Sequence, residues 1–146
     1  MKLTTRGYYS VKALLDLSLQ PNHGPSSVRE IANRQNLPAP YLEKLLIKLR
    51  RAGLVMSVRG VNGGYQLERS PAHISLGQVL EAVGENLEPR SGNEIQDNAE
   101  DWVTQMVWKR LTQKMKVAMY EISLEDLYYE ARSWQAAQGE ANTFIV

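Results

Sequence analysis

Residues 27–65 decide the fold of this chain, and they read SVREIANRQNLPAPYLEKLLIKLRRAGLVMSVRGVNGGY. Ser27, with Glu30 three residues later, is typical of a capped helix start, and the proline-containing segment at 36–40 predicts a turn. A second amphipathic helix follows and ends in basic residues just before Gly53. An alternating segment, a glycine-rich tip and a returning strand come next. This order predicts a helix-turn-helix with a two-stranded wing, an arrangement that can place one helix in a DNA groove.

Helical spacing predicts which side chains of these two helices are buried. The apolar residues recur at three- and four-residue intervals, so they fall on one side of each helix. We expect the buried sides to contain Val28, Ile31, Ala32, Leu42, Leu45, Leu46 and Leu49. In the following segment, LVMSVR, the alternation predicts a strand in which Leu54, Met56 and Val58 share one face.

The rest of the chain is predicted to be mostly helical. Residues 5–20 have helical spacing, and a short helix capped by Ser75 ends at Gly84. Residues 85–101 are polar and net acidic, which is typical of a loop or linker. We expect a long helix over about 98–121 and a last helix over about 123–137. The residues from Gly139 onward should form a frayed tail.

Composition excludes several classes of protein. At 146 residues, with 43% hydrophobic and 23% charged residues, the chain fits one soluble domain or a small domain with an appendage. No apolar run approaches the roughly 18 residues that cross a membrane. Charged residues among the first apolar ones argue against a secretory signal, so we expect a cytoplasmic protein. The chain contains no cysteine, which excludes disulfides, a thiol nucleophile and any cysteine-ligated metal or iron–sulfur cluster.

Charge is divided unevenly along the chain. Residues 1–70 hold 11 Lys and Arg against 4 acids, whereas residues 71–146 hold 6 basic residues against 12 acids. A basic half beside an acidic half indicates that only one half meets a polyanion. Two solvated surfaces of opposite sign are the alternative interpretation.

The basic half carries the candidate contact residues. The exposed side of the second helix offers Tyr41, Glu43, Lys44 and Lys48, of which Glu43 could accept a hydrogen bond from a cytosine amino group. Arg59 supplies charge at the wing, where glycines let the backbone approach a phosphate or a minor groove. Each piece also has a plain structural interpretation, as an ordinary helix pair, a hairpin turn or a basic helix end. Their order within one short stretch favours DNA binding.

Two segments, MKLTTRGYYSVKALLDL and the run from Ser27 to Val83, closely resemble the Rrf-two family of bacterial winged-helix regulators. The marks are LTT-x-G-x-Y, YLEKLL-x-KLR-x-AGLV and SVRG-x-x-GGY, and the match covers residues 1–84. The resemblance implies a mainly α fold with a small β-wing, a recognition helix beginning at Tyr41 and a wing from Arg59 to Tyr65. The DNA-binding residues that it implies, together with the basic helix end, are Arg6, Tyr9, Tyr41, Glu43, Lys44, Lys48, Arg50, Arg51, Arg59, Gly60, Gly63, Gly64 and Tyr65.

The resemblance extends more loosely to the C-terminal part, where the family has a long dimerisation helix. It implies a homodimer, with an interface formed by Trp102, Val103, Met106, Val107, Leu111, Met115 and Ile122. The expected organisation is a DNA-binding domain at 1–84, an acidic linker at 85–97, dimerisation helices at 98–138 and a tail at 139–146.

The chain departs from the family at two places. Pro40 stands where many members have a small hydroxyl residue, so the resemblance does not transfer an operator sequence. Cluster-binding members place three cysteines between the short and long helices, whereas residues 84–108 here contain neither Cys nor His. Trp102 and Gln105 lie about where a late cysteine and a further ligand would fall. We interpret His23 and His73 as surface residues, because neither has partner ligands.

The acids of the linker region offer only weak metal-binding chemistry. Carboxylates are ligands for hard cations, and here a solvated acidic loop explains them better. The acids concerned are Glu94, Asp97, Glu100 and Asp101. We therefore expect neither a metal nor a cofactor.

The hypothesis that follows is a sequence-specific transcriptional regulator, in particular a repressor, that binds a palindromic operator as a homodimer. A small molecule or a protein could control it, or its abundance alone could. The alternative is a winged-helix module that binds another protein. An enzyme is not indicated, because the chain has no partnered histidine and no phosphate-binding glycine loop.

Overall fold

The fold is mainly helical with a two-stranded wing, as the sequence predicts. The structure is a computed structural model that describes residues 4–88 and 98–143, with the side chains of 140–143 excepted. Short 3-10 turns at Pro21–His23 and Pro71–His73 join some of its elements. In chain order the helices and strands are α1 (Thr5–Leu19), α2 (Val28–Gln35), α3 (Ala39–Arg51), β1 (Val55–Val58), β2 (Gly64–Leu67), α4 (Leu76–Ala82), α5 (Ala99–Glu121) and α6 (Leu124–Thr143).

Local capping sets the limits of the helix pair α2 and α3. The Ser27 hydroxyl accepts from the Glu30 backbone N–H at 3.1 Å, and the Glu30 carboxylate accepts from the Ser27 N–H at 3.2 Å. This reciprocal pair satisfies two donors at the start of α2. Asn36 adopts a left-handed conformation, with φ of 54°, and ends α2. Gly53, with φ of 76°, follows the end of α3 and turns the chain toward the wing.

The core lies under α3 and joins α1, α2, the wing and α4. The predicted buried sides of the helix pair are confirmed, except that Val28 is half-buried at the edge of the core. Leu14 and Leu17 of α1 are fully buried against them. Burial of a leucine side chain contributes about 1.5–3 kcal/mol, so this cluster is the main stabilising feature of the N-terminal half.

The first strand faces the core differently from the prediction. Leu54 is 1% exposed while Met56 is 40% exposed, so Leu54 does not share a face with Met56, and Val55 is the fully buried residue of the strand. The reason lies in the end of α3, where the Leu54 N–H donates to the Leu49 carbonyl at 3.0 Å. Leu54 therefore belongs to the helix cap, and strand alternation begins one residue later.

A buried ion pair ties α1 to α2. The Asp16 side chain is 2% exposed and accepts from Arg34 Nη2 at 2.7 Å and from Gln35 Nε2 at 2.7 Å. This hydrogen bond from Arg34 to Asp16 raises the pKa of Arg34 above its ordinary value. Arg34 also donates to the Ser26 hydroxyl at 2.8 Å, and the Ser26 backbone pairs with Tyr65 of β2. One network therefore connects α1, α2 and the wing.

The start of the predicted linker is anchored rather than solvated. Leu87 is 5% exposed and packs with Leu80 of α4 and Met119 of α5, while Glu88 forms an ion pair with Lys116. A single apolar residue in a polar segment is a weak signal, which is why the composition does not reveal this contact. The remainder of the predicted linker, residues 89–97, lies outside the described residues.

Backbone hydrogen bonds join the two C-terminal helices to the N-terminal half where α5 meets α6. The Leu76 N–H donates to the Ile122 carbonyl at 2.8 Å, and the Leu124 N–H donates to the Ile74 carbonyl at 2.8 Å. Helix α5 agrees with the predicted bounds, whereas α6 continues to Thr143 through the predicted tail. One glycine costs a helix only about 1 kcal/mol, and good helix formers surround Gly139. Residues 144–146 of that tail lie outside the described residues.

No helix in the described part of the chain is long and apolar enough to cross a membrane.

Candidate nucleic-acid interface

Helix α3 presents a polar side to solvent because its leucines are held in the core. With Leu42, Leu45, Leu46 and Leu49 buried, the side chains on the opposite side of the helix are exposed. Those predicted from the sequence to face DNA are Glu43, Lys44 and Lys48. Glu43 and Lys44 lie on one turn and Lys48 on the next, which is the spacing with which a recognition helix reaches base edges.

Tyrosines fix the N-terminal end of this helix. The Tyr9 ring of α1 packs edge-on against the Tyr41 ring of α3, with 5.9 Å between centroids, and both are half-buried against the core. The centroid of the Tyr8 ring lies 6.2 Å from that of Tyr9, and Tyr8 is 54% exposed. Tyr9 and Tyr41 are thus brought together as predicted site residues, and their packing orients α3. Only parts of their rings remain available to a ligand.

The C-terminal end of α3 concentrates positive charge. Lys48, Arg50 and Arg51 lie in its last turn, where cations also interact favourably with the helix dipole. All three are exposed, and no ion pair with an acid is found for them in the described part of the chain. Such unpaired cations can neutralise phosphates.

The wing is a short hairpin whose tip projects from the core. Its strands pair antiparallel, with Val55 opposite Leu67 and Val58 opposite Gly64. The Gly63 N–H donates to the Gly60 carbonyl at 3.0 Å and closes the tip. Arg59 and Gly60 are exposed beside this turn. The predicted basic wing therefore reaches solvent.

Three predicted wing residues stabilise the hairpin through packing and backbone hydrogen bonds. A Cβ on Gly63 would meet the Val58 carbonyl, and a Cβ on Gly64, whose φ is +147°, would meet the Ser26 carbonyl. Tyr65 is 9% exposed in the core and exchanges backbone hydrogen bonds with Ser26 at 2.7 and 2.9 Å. These residues attach the wing to the rest of the DNA-binding head, by which we mean the N-terminal half from α1 to α4. The Tyr65 ring is not presented at the surface.

Arg6, another predicted DNA contact, binds the segment that follows α4. Its guanidinium donates to the Gly84 carbonyl at 3.1 Å and lies 3.5 Å from the Glu85 carboxylate. The Thr4 hydroxyl also bonds to Glu85. The start of α1 is thereby joined to the segment that follows α4.

The surface also contains residues that sequence reasoning missed. Val61 at the wing tip is 103% exposed, and the exposed Asn62 follows it. Tyr8 is exposed beside Tyr9 on α1, and Lys12 Nζ donates to the Gln35 carbonyl at 2.9 Å at the end of α2. The position of Val61 between Arg-Gly and Asn-Gly was the available signal, because turn centres point outward.

Helix α5 exposes a long apolar surface. Met119 is its only residue classed as buried, and every predicted interface residue has at least 37% exposure. Trp102, Val103 and Leu111 are each about half exposed. The predicted stripe is therefore not packed against the described part of the chain. Continuous apolar surface of this kind marks an interaction site.

Residues 3–130 match the Rrf2 family, which is described as iron-dependent transcriptional regulators. The chain belongs to the Rrf2 family. It is 64% identical, over an alignment of 148 residues covering all of both chains, to a protein of Synechocystis sp. named as an HTH-type transcriptional regulator. It is 40% identical to the HTH-type transcriptional regulator IscR of Aliivibrio salmonicida, over 87% of this chain and 77% of that protein. The chain is accordingly a DNA-binding transcriptional regulator of the Rrf2 family and not an enzyme.

Solved structures of the family have the same fold. CymR, the global cysteine regulator of B. subtilis, superposes with a TM-score of 0.78 at 32% identity, covering 89% of this chain and 98% of CymR. IscR of T. potens gives a TM-score of 0.75 at 37% identity, covering 92% of this chain and 91% of that structure. The coverage includes more than the winged-helix half, so the resemblance extends into the C-terminal helices.

The family description implies iron, but the residues present do not fit a cysteine-ligated cluster. The chain has no cysteine. Within residues 4–88 and 98–143, no group of three or more His, Cys, Asp or Glu side chains is placed to hold a metal ion. Soft iron–sulfur clusters require thiolate or imidazole ligands. No step of this protein's action is therefore assigned to such a cluster.

Proposed function

We propose that this chain is a sequence-specific repressor that binds a palindromic operator as a homodimer in the bacterial cytoplasm. The observation that carries the proposal is that α3 and the wing, which are consecutive in the chain, both expose charged side chains to solvent. A buried leucine face turns Glu43, Lys44 and Lys48 outward, and the wing that follows α3 in the same domain exposes Arg59. This pairing supports a recognition helix in the major groove and a basic wing at the neighbouring minor groove.

The dimer is supported by the exposed apolar surface of α5. A soluble chain that exposes Val103, Val107 and Leu111 along one helix gains by covering them with an identical helix. A two-fold dimer presents two recognition helices to one duplex, so its operator must be palindromic, with half-sites about 10 base pairs apart or a multiple of that. Repression follows if the dimer occupies a promoter.

The signal that controls binding is proposed to be other than a cysteine-ligated cluster. A small molecule or a protein can change the angle between the two heads through the α5 pair, and it must then bind one dimer geometry more tightly than the other. Constitutive binding, with abundance as the control, is the second possibility. A visible absorption band in an anaerobic preparation of the purified protein would contradict the absence of a cluster.

The proposal is tested by selection of duplexes from a random library, followed by fluorescence anisotropy over a range of salt concentrations. Wild-type protein should prefer the selected duplex over a scrambled one, and its affinity should fall steeply with salt. Equal binding of both duplexes would refute sequence specificity.

Arg59→Ala should weaken binding to the selected duplex by about tenfold or more and lower the salt slope by about 2, because each chain of the dimer loses one phosphate or groove contact. Arg132→Ala is the matched control, since it removes the same charge from an exposed position on α6. The control should bind like wild type. Unchanged DNA affinity in Arg59→Ala would favour the alternative, a wing that contacts protein.

A further inference from the structure

The wing tip presents one apolar side chain, Val61, to solvent. Its exposed fraction of 103% is the highest among the large exposed hydrophobic residues of the described chain. Isolated exposed aliphatic residues are ordinary on protein surfaces, so exposure alone indicates nothing. Its position is informative, because Val61 lies between Arg59 and Asn62 at the tip of the element that approaches DNA.

The backbone holds this side chain in a fixed direction. The hydrogen bond from the Gly63 N–H to the Gly60 carbonyl makes Val61 and Asn62 the central residues of a turn. Neither has a positive φ, so a β-branched residue fits the turn without strain. Gly63 packs against the Val58 carbonyl beneath the tip. Val61 therefore projects from a supported turn rather than from a loose loop.

We propose that Val61 enters the minor groove beside Arg59 and selects against guanine there, which makes it a specificity-determining residue. This inference rests on the proposed function, in which the wing meets the minor groove. The minor groove is about 6 Å wide, and its A·T pairs present only acceptors, whereas a G·C pair adds the guanine amino donor. A valine methyl group cannot accept from that donor.

Covering the guanine amino group with valine therefore removes water from a donor without replacing its hydrogen bond, which is unfavourable. Other minor-groove proteins also insert apolar side chains into this groove. Asn62 complements the selection, since its amide can donate to the acceptors of an A·T pair. Arg59 strengthens DNA binding without distinguishing between bases, because its charge interacts with the phosphates of any sequence.

The test uses the full-length protein and a duplex selected from a random library. Hydroxyl-radical footprinting first locates the base pairs beneath the wing, and each is then replaced with A·T, G·C or inosine·C. Inosine lacks the guanine amino group but keeps the guanine major-groove edge. We expect A·T and inosine·C duplexes to bind equally and the G·C duplex to bind about tenfold more weakly.

Two variants at Val61 separate its chemistry from its shape. Val61→Thr keeps the branched shape and supplies a hydroxyl that can accept from guanine, so the G·C penalty should fall to about twofold. Val61→Ile keeps the apolar character and should retain the tenfold penalty. Neither variant changes the charge, so the salt dependence should equal that of wild type.

Equal binding of inosine·C and G·C duplexes by wild type would overturn the inference, as would an undiminished penalty in Val61→Thr. In both cases the selected duplex would still be preferred over a scrambled one, and the proposed function would stand. Loss of that preference in wild type would instead overturn the proposed function, and this inference with it.

Discussion

At the residue scale, Asp16 connects the parts of the DNA-binding head. Its carboxylate is buried in α1 and receives hydrogen bonds from Arg34 and Gln35 of α2. Arg34 continues the network to Ser26, whose backbone holds β2. The orientation of the helix-turn-helix relative to the wing thus depends on one buried charge. The sequence shows Asp16 only as a single acid among apolar residues, because its partners lie 18 and 19 positions away.

Asp16→Asn should destabilise the folded chain by about 2 kcal/mol. Removal of one partner from a buried ion pair usually costs about 3–5 kcal/mol, and the cost is smaller here because the Arg34 side chain is 32% exposed. Urea unfolding measures the difference. Glu30→Gln is the control, since Glu30 is 58% exposed and its ion pair with Arg34 should contribute less than about 0.5 kcal/mol. Equal stability of Asp16→Asn and wild type would contradict this role.

Two wing glycines differ in a way that only the structure reveals. Both have positive φ, but Gly64 lies against the Ser26 carbonyl while a Cβ on Gly60 would meet open space. Gly64→Ala should therefore destabilise by about 2 kcal/mol or more, through backbone strain and a forced shift of Ser26. Gly60→Ala carries the backbone strain alone and should cost about 1 kcal/mol. Thermal unfolding distinguishes them, and a smaller loss for Gly64→Ala than for Gly60→Ala would be inconsistent with the proposed attachment.

At the element scale, the corner between α4 and α5 is closed by an aromatic ring. Tyr120 of α5 packs on Gly77 of α4, where a Cβ would collide with the ring. Leu87 fills the same corner beside Met119. This corner joins the N-terminal half to α5, so we expect a shift of α5 to change the packing there.

Alkaline pH should loosen this corner. Burial, followed by a hydrogen bond with Glu81, raises the pKa of Tyr120 from 10.0 to about 12. Because the folded state binds this proton more tightly, the stabilisation is complete below pH 10 and is lost as pH rises toward about 12. Tyr120→Phe should show a weaker loss of stability in urea between these pH values than wild type. Tyr129→Phe, an exposed ring on α6, should retain the wild-type dependence.

The elements were largely predictable where local chemistry sets them. The Ser27–Glu30 and Ser75–Gln78 capping boxes, the Leu face of α3 and the glycine after α3 all act within a few residues, so the sequence shows them directly. The predictions are wrong where contacts between residues distant in sequence determine which side chains are buried. Val55 is buried because Leu54 completes a helix cap, and Leu87 is buried because α5 returns to cover it. Helix α6 continues past Gly139, where the sequence predicts a frayed tail, because one glycine costs a helix only about 1 kcal/mol.

The candidate site was predictable to a similar degree. The exposed positions of α3 and the charge of the wing follow from periodicity and composition. The inward position of Tyr65 and the attachment of Arg6 to Gly84 follow from tertiary contacts that no local pattern contains.

At the scale of the whole molecule, the chain has two distinct exposed surfaces, one basic and one apolar. The basic head exposes α3 and the wing, while α5 exposes apolar side chains along most of its length. A monomer would leave that surface in water. In the proposed dimer both surfaces have partners, one of nucleic acid and the other an identical helix.

Val107→Glu should convert the dimer into a folded monomer, because it places a charge at the centre of the apolar stripe while the chain's own core is untouched. Sedimentation equilibrium reports the mass, and circular dichroism should show unchanged helix content. Affinity for the selected duplex should fall about 100-fold or more, as one head alone must bind. Gln113→Glu, which adds the same charge at an exposed polar position of α5, should remain dimeric.

The central claim is that two chains, joined through α5, place two recognition helices and two wings on one palindromic duplex. Its most direct test is the mass of the complex with the selected duplex, measured by sedimentation equilibrium at saturating protein. We expect two wild-type chains per duplex. When the Val107→Glu variant binds a duplex with one scrambled half-site, we expect one chain per duplex. A wild-type complex with a single chain per duplex, formed at full affinity, would contradict the central claim.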